Sequence, residues 1–260
     1  MRTRPVVFTA LAAVIAFGCG GGSSGKPTGK VRVLNLFSPD GGPGPAVDVY
    51  AAPDGPFTKV DTSQKPLLSN LAYEGLSDYF SPPAVGDQNS GVIAFFAAGT
   101  KEATEFYSGS VVPGSFAADE QALVTLLDCP DSTGAPVVCF NTLDEKSPAT
   151  ASSPAPMPSA GKAMFYDRHD VAWWDTDIFW WGAGAGCLTD GDSPYYDEFE
   201  IPAGMSTLTL LTKPGGTGNP TCMEAPTFSM PVDLAAGARA WLFTYGASQA
   251  TLKQKWIPIE

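Results

Sequence analysis

Positive charge is scarce in this chain. Lysine and arginine number 15 of 260 residues against 27 aspartates and glutamates, a formal net charge of −12. Such a field repels phosphate backbones, and no arginine cluster or basic stripe is present to contact them, so nucleic acid is excluded as a partner. Histidine is scarcer still: His169 stands alone, and any Ser-His-Asp arrangement must pass through it. From residue 31 onward no serine sits in a Gly-x-Ser-x-Gly elbow, and Gly41-Gly42-Pro43-Gly44 lacks the Lys-Ser/Thr and helix of a phosphate cradle. No Cys-x-x-Cys pair is present, which removes the usual zinc spacing. No apolar run reaches the roughly 18 to 20 residues that cross a bilayer as a helix.

What the chain does have begins at its N-terminus. Arg2 and Arg4 give a positive start, residues 6–17 form an apolar run of 12 residues, and Ala16-Phe17-Gly18-Cys19 brings small residues up to a cysteine. This resembles a bacterial lipoprotein signal, residues 1–18, with cleavage before Cys19 and acylation of its thiol. Residues 19–30 then hold the lipidated cysteine and a leash rich in glycine and serine, with little that can pack. Removing the two signal arginines leaves 13 basic residues against 27 acidic ones, a charge of −14. The expectation is an exported protein tethered to a membrane of the cell envelope. Gly20 stands where an inner-membrane retention aspartate would, which favours an outer membrane in a cell that has one.

Four further cysteines, Cys129, Cys139, Cys187 and Cys222, suit disulfides in an exported chain, with three connectivities open. Spacing favours the sequential one. Cys129 and Cys139 bracket Pro130-Asp131-Ser132-Thr133-Gly134-Ala135-Pro136, a run of turn formers at the tip of a hairpin. Cys187 and Cys222 flank a longer stretch with two predicted strands.

Short β-rich runs separated by proline, glycine and aspartate occupy the rest. Residues 148–161 hold four prolines and no charge, and read as a linker unsuited to a packed strand or helix. On either side lie residues 31–147 and 162–260, each laid out on one plan. Val31-Arg32-Val33-Leu34-Asn35-Leu36-Phe37 matches Ala163-Met164-Phe165-Tyr166-Asp167, followed by a turn at Arg168-His169-Asp170. The run from Tyr73 to Phe80 matches that from Gly191 to Phe199, each followed by a strand, an apolar run and a last strand pair. This is a diverged internal duplication. Val47, Val49 and Ala51 alternate with Asp48 and Tyr50, which predicts one buried and one outward face. Only residues 101–107 suggest a turn or two of helix. The predicted fold class is all-β, two tandem antiparallel β-sandwiches, because an α/β scheme would need crossover helices that the chain lacks.

The opening Val31-Arg32-Val33-Leu34-Asn35-Leu36-Phe37-Ser38-Pro39-Asp40, with Pro45-Ala46-Val47-Asp48-Val49-Tyr50, resembles the DUF4397 family of bacterial envelope and secreted domains without an assigned activity. Leu76-Ser77-Asp78-Tyr79, Ser193-Pro194-Tyr195, Ile201-Pro202-Ala203-Gly204 and Leu234-Ala235-Ala236-Gly237 extend the likeness. The resemblance implies an immunoglobulin-like sandwich in an envelope protein, and it brings no catalytic residues.

Two clusters are candidate sites. Asp167, His169 and Asp170, with Asp175 and Asp177, could ligate a metal, although no EF-hand spacing is present and a solvated strand face explains them more simply. Woven through them are Trp173, Trp174, Trp180 and Trp181. Adjacent residues of a strand face opposite ways, so one of each pair can pack while the other covers a contact between the halves or grips a sugar ring. Ser77 and Ser193 occupy equivalent places and suit turn capping. Glu198 and Glu200 could do acid/base work on glycans but alternate as a wet strand face would. No cofactor is expected. The sequence therefore points to a non-catalytic binding or structural protein of the envelope whose partner is an envelope protein or glycan. The alternatives are a carbohydrate-binding module using exposed tryptophans, and a metal-dependent or carboxylate-based hydrolase.

Overall fold

A computed structural model describes residues 28–38, 42–51, 63–84, 93–99, 111–112, 120–130, 136–146, 149–150, 153–154, 157–171, 176–182, 186–189, 197–214, 228–246 and 253–259. The described secondary structure is all-β. Four principal sheets account for most of it, two from each side of residues 148–161. In the first half, β1 (Lys30–Asn35), β6 (Gln121–Pro130) and β7 (Pro136–Asp144) lie in that order, and β3 (Leu68–Leu71), β2 (Val47–Ala51), β4 (Ile93–Ala97) and β5 (Val111–Val112) form a second sheet. In the second half one sheet runs β13 (Asp197–Pro202), β10 (Lys162–Val171), β16 (Arg239–Gly246), β17 (Lys253–Ile259). The other runs β12 (Gly186–Thr189), β11 (Thr176–Gly182), β14 (Gly204–Pro214), β15 (Phe228–Leu234).

The duplication is visible strand for strand. β1 pairs parallel with β6, which pairs antiparallel with β7; β10 pairs parallel with β16, which pairs antiparallel with β17. β2 sits between β3 and β4 as β11 sits between β12 and β14. β13 borders β10 antiparallel, and the segment from Leu76 to Phe80 borders β1 through antiparallel bridges Leu34↔Leu76 and Val31↔Phe80. That segment covers the free edge of β1: Val31 and Phe80 exchange backbone hydrogen bonds, and the amide of Asn35 donates to the carbonyl of Gly75.

The two parallel pairs depart from the antiparallel expectation. Helices are not needed to cover the central sheets, because neighbouring sheets do it. Val31, Val33, Val124 and Leu126 pack with Val47, Val49, Ile93 and Phe95 between the two sheets of the first half. Phe165, Leu242, Leu208 and Val232 fill the corresponding space in the second. Between the halves, Leu34, Leu36, Leu123, Leu127 and Leu143 meet Met164, Tyr166, Trp241, Phe243, Tyr245 and Ile257. The result is four stacked sheets with three cores, and β1 is buried on both faces from Val31 to Asn35. Doubly covered strands read as continuous apolar runs, which is how Val31 to Phe37 reads.

Polar ties reinforce the contact between halves. The Arg32 guanidinium makes a two-pronged pair with the Glu145 carboxylate, one prong at 2.9 Å, and donates to the Pro258 carbonyl at 2.6 Å. The Tyr79 hydroxyl donates to Glu145 at 2.7 Å, and its ring lies 4.9 Å from the guanidinium carbon. Towards the other end of the contact, Lys253 Nζ donates to Glu74 at 2.6 Å and Lys255 Nζ to the Glu74 carbonyl at 2.7 Å.

Three local expectations change. Arg168-His169-Asp170 is not a turn but the continuation of β10, held in line by the parallel pairing of Arg168, His169 and Asp170 with Phe243, Thr244 and Tyr245. Asp48 and Tyr50 are buried like their neighbours. Asp48 accepts from the amides of Asn70 at 2.7 Å and Gly99 at 3.0 Å, and Tyr50 meets Phe96 edge-on at 5.4 Å. The proline-rich stretch contains a minimal ladder, β8 (Ala149–Thr150) with β9 (Ser153–Pro154), which suits proline because an edge residue needs no donor on its open side. The helical expectation for residues 101–107 lies outside the described residues.

Candidate functional site: the outer face of the second half

The sheet formed by β12, β11, β14 and β15 is an outermost layer of the stack, and its two faces differ. β13 turns tightly into β14 through Ala203, and the first residue of β14, Gly204, has φ +96°, a conformation that a side chain would strain. Along β14, Leu208 turns inward, and Met230 and Val232 of β15 join it in the core. The alternate positions Thr207, Ser229, Pro231 and Asp233 are exposed, and Met205 is 85% exposed. One cross-strand row on this outer side reads Cys187, Trp181, Thr209, Ser229 in register, and Thr209 Oγ1 lies 3.3 Å from Ser229 Oγ. The next row reads Thr189, Phe179, Leu211. Trp180 occupies the alternate row, opposite Leu210 and Leu188, whose parity is that of Leu208 and the core.

The equivalent face of the first half is closed. There the outer positions of β2 and β4 are Asp48, Tyr50, Ala94 and Phe96, and all four are buried. Two copies of one plan thus differ in the feature that matters for binding. One outer face is covered, and the other presents hydroxyls beside an aromatic register position.

The strand of Trp180 and Trp181, β11, belongs to the outer sheet. Trp241, Tyr166, Phe243 and Tyr245 are among the residues that form the contact between the halves. Sequence reasoning passed over Trp241, although Ala240-Trp241-Leu242-Phe243-Thr244-Tyr245 carries an aromatic at every second position. Trp173, Trp174 and Asp175 lie outside the described residues, and Asp177 stands opposite Lys213 in register.

The candidate metal ligands fall along β10. Asp167 is buried opposite Asp197 and Leu242, His169 stands opposite Thr244, and Asp170 opposite Tyr245. Positions 167 and 169 share one strand parity and 170 has the other. Among the described residues no group of three or more His, Cys, Asp or Glu side chains comes together. The hairpin expected between Cys129 and Cys139 is present, closed by the pair Pro130↔Pro136, with Cys129 opposite Val137 and Cys139 opposite Leu127. Cys187 lies on β12, and Cys19 and Cys222 lie outside the described residues, as does Ser193.

Ser77 has a capping role: its hydroxyl accepts from the Val33 amide at 2.9 Å and donates to the Asp78 carbonyl at 2.8 Å. Glu198 and Glu200 flank the buried Phe199 on edge strand β13. Burial raises the Glu198 carboxyl above its ordinary value, while hydrogen bonds from Ser159, including its amide at 2.6 Å, lower that of Glu200. Among the described residues no helix is long and apolar enough to cross a membrane.

No family model and no curated protein matches the chain. Among solved structures it is similar to the Bacillus anthracis TIE protein, at 8% identity and a TM-score of 0.23, over 85% of this chain and 35% of that one. It is also similar to CBMbc (family CBM26) from Eubacterium rectale Amy13K in complex with maltoheptaose, at 10% identity and a TM-score of 0.23, over 88% and 96%. The chain thus spans about a third of the TIE protein. Likenesses this slight assign no function.

Proposed function

We propose that this protein is a non-catalytic glycan-binding protein of the cell envelope, tethered through a lipid on Cys19, with the outer face of the β12-β11-β14-β15 sheet as its binding surface. The observation that carries the proposal is the exposed outer side of β14 and β15, with Thr207 and Ser229 on it and Trp181 in register with Thr209. Sugars combine apolar ring faces with hydroxyls, and an aromatic position flanked by hydroxyl groups suits both. The leash after Cys19 would let the domain stand off from the membrane. Kinship with the DUF4397 envelope domains, proposed from the sequence motifs, fits the same role.

Titration of tryptophan fluorescence against a panel of envelope and storage glycans tests the binding. The expected result is a saturable change that disappears in Trp181→Ala. A panel without response, or a response that Trp181→Ala leaves intact, overturns the surface named here. For the tether, the expected result is that radiolabelled palmitate enters the wild-type protein and not Cys19→Ser, with membrane association lost in the variant.

A further inference from the structure

The contact between the halves has the symmetry of a homodimer. Each half contributes the same layer to it: the segment from Leu76 to Phe80 with β1, β6 and β7 on one side, and β13, β10, β16 and β17 on the other. Across the contact β6 lies against β10, and Glu74, beside the Leu76 to Phe80 segment, meets Lys253 and Lys255 of β17. The two layers therefore run in opposite order. Their strands point the same way. Arg32, near the start of β1, reaches Pro258, which stands opposite Ala240 near the start of β16. Glu74, bonded to Asn35 at the end of β1, meets Lys253, which stands opposite Tyr245 near the end of β16. Equivalent layers in reversed order and common direction define a pseudo-two-fold axis along the strands, and an interface of that kind is isologous. From this symmetry we infer a surface for a second copy of this chain: two molecules exchange halves, the first half of each closing on the second half of the other.

Exchange, rather than pairing of like halves, follows from the side chains. Leu34 stands beside Thr125 as Tyr166 stands beside Trp241, so Thr125 and Trp241 hold equivalent positions, and both are fully buried. Thr125 lies between Leu123 and Leu127 on the strand face that meets the second half. Two first halves would leave a void where Trp241 packs, and two second halves would crowd a ring into the place of a threonine. Only unlike halves complete the core, within one chain or between two.

The link between the halves permits both arrangements. It leaves and re-enters the stack at one end: the Glu145 amide donates to the carbonyl of Gln121, which stands opposite Lys30 at the start of β1, and Lys162 opens β10. Within the link β8 and β9 pair with each other rather than with a strand of either half, and Met157, Ser159 and Ala160 are exposed. Drawn out, residues 146–161 span about 50 Å, more than the roughly 30 Å across four stacked sheets. The closed and exchanged forms bury the same cores and differ in the link and in the entropy of joining two chains. Concentration therefore selects between them.

Refolding the protein from urea at micromolar and at millimolar concentration, as an equal mixture of unlabelled and isotope-labelled chains, tests this. Size-exclusion chromatography with light scattering should show monomer at the lower concentration and a dimer fraction at least tenfold larger at the higher. A carbodiimide then joins the Glu74 carboxylate to the Lys253 amine, which already touch as an ion pair across the contact. In the dimer about half of the cross-linked peptides should unite a labelled with an unlabelled chain, as random exchange requires, and in the monomer none. Lys253→Met should remove the cross-link and keep the dimer, because the pair is partly exposed. A dimer whose cross-linked peptides never mix labels places the second copy on another face, and a protein that stays monomeric at every concentration keeps its halves together. Either result overturns exchange.

Discussion

Arg32 and Glu145 form an ion pair buried at the junction of the two halves, 113 residues apart in the chain. The same guanidinium reaches the carbonyl of Pro258, so a strand of the first half holds the last strand of the second. Removing one partner of such a pair leaves an uncompensated buried charge, which costs about 3 to 5 kcal/mol. Glu145→Ala should therefore destabilise the protein by that order in urea unfolding. Replacing both residues with apolar ones, Arg32→Met with Glu145→Leu, should recover most of the loss, because the penalty comes from the orphaned charge rather than from a missing attraction.

The shared core makes a second claim. Trp241 is fully buried among residues of both halves, so the halves should unfold together, in one calorimetric transition with equal van't Hoff and calorimetric enthalpies. Trp241→Ala removes about 3 to 5 kcal/mol of packing from that contact alone. The expected outcome is a split into two transitions, whereas two transitions in the wild-type protein would contradict a contact that couples the halves.

The pair at the other end of the contact responds to pH. Burial pushes the Glu74 carboxyl up, but hydrogen bonding and charge from Lys253, with help from Tyr245 and Lys255, bring it below its ordinary value. The hydrogen bond to Glu74 raises Lys253 despite some desolvation. A lowered acid contributes stability that is present above its unfolded pKa near 4.5 and lost as pH falls through the folded value. A raised base contributes below 10.5 and loses that contribution as pH rises through its folded value. Both side chains are partly exposed, so a double-mutant cycle of Glu74→Gln and Lys253→Met should give at most about 1 kcal/mol near pH 7. The coupling should shrink towards pH 3 and in high salt.

How much of this was legible in the sequence follows from what is local. The strands at Val31 and Val47, the hairpin around residues 130–136 and the correspondence of the halves rest on alternation and turn chemistry, which a chain writes within a few residues of itself. The parallel pairs β1 with β6 and β10 with β16 join residues about 75 to 90 positions apart and leave no local mark. Asp48 looked like an outward residue because its alternation is correct. Its burial depends on the amides of Asn70, in β3, and Gly99, just beyond β4, which arrive from the two strands flanking β2. Arg32 reads as a surface charge until Glu145 is known to meet it. For the site, the opposite parities of Trp180 and Trp181 follow from strand geometry alone. Which of the two outer faces stays open follows from tertiary burial, and the sequence is silent on it.

The difference between the duplicated faces predicts a stoichiometry. Tyr50 and Phe96 pack against each other and are 7% and 6% exposed, so among the described residues the outer positions of β2 and β4 offer no exposed aromatic. The second half exposes Thr207 and Ser229 on its outer row, with Trp181 in register beside Thr209, and the proposed site lies there. Glycan titrations should therefore saturate at one site per chain despite the duplication. Thr209→Val, which removes one hydroxyl of the row while keeping its shape, should weaken binding several-fold and leave thermal unfolding within about 0.5 kcal/mol, as surface changes usually do. Tyr50→Ala should do the reverse, lowering stability by a few kcal/mol through a lost buried ring without changing the affinity of the protein that remains folded. Two equivalent sites per chain, or an affinity that follows Tyr50 and ignores Thr209, would place binding in the wrong half.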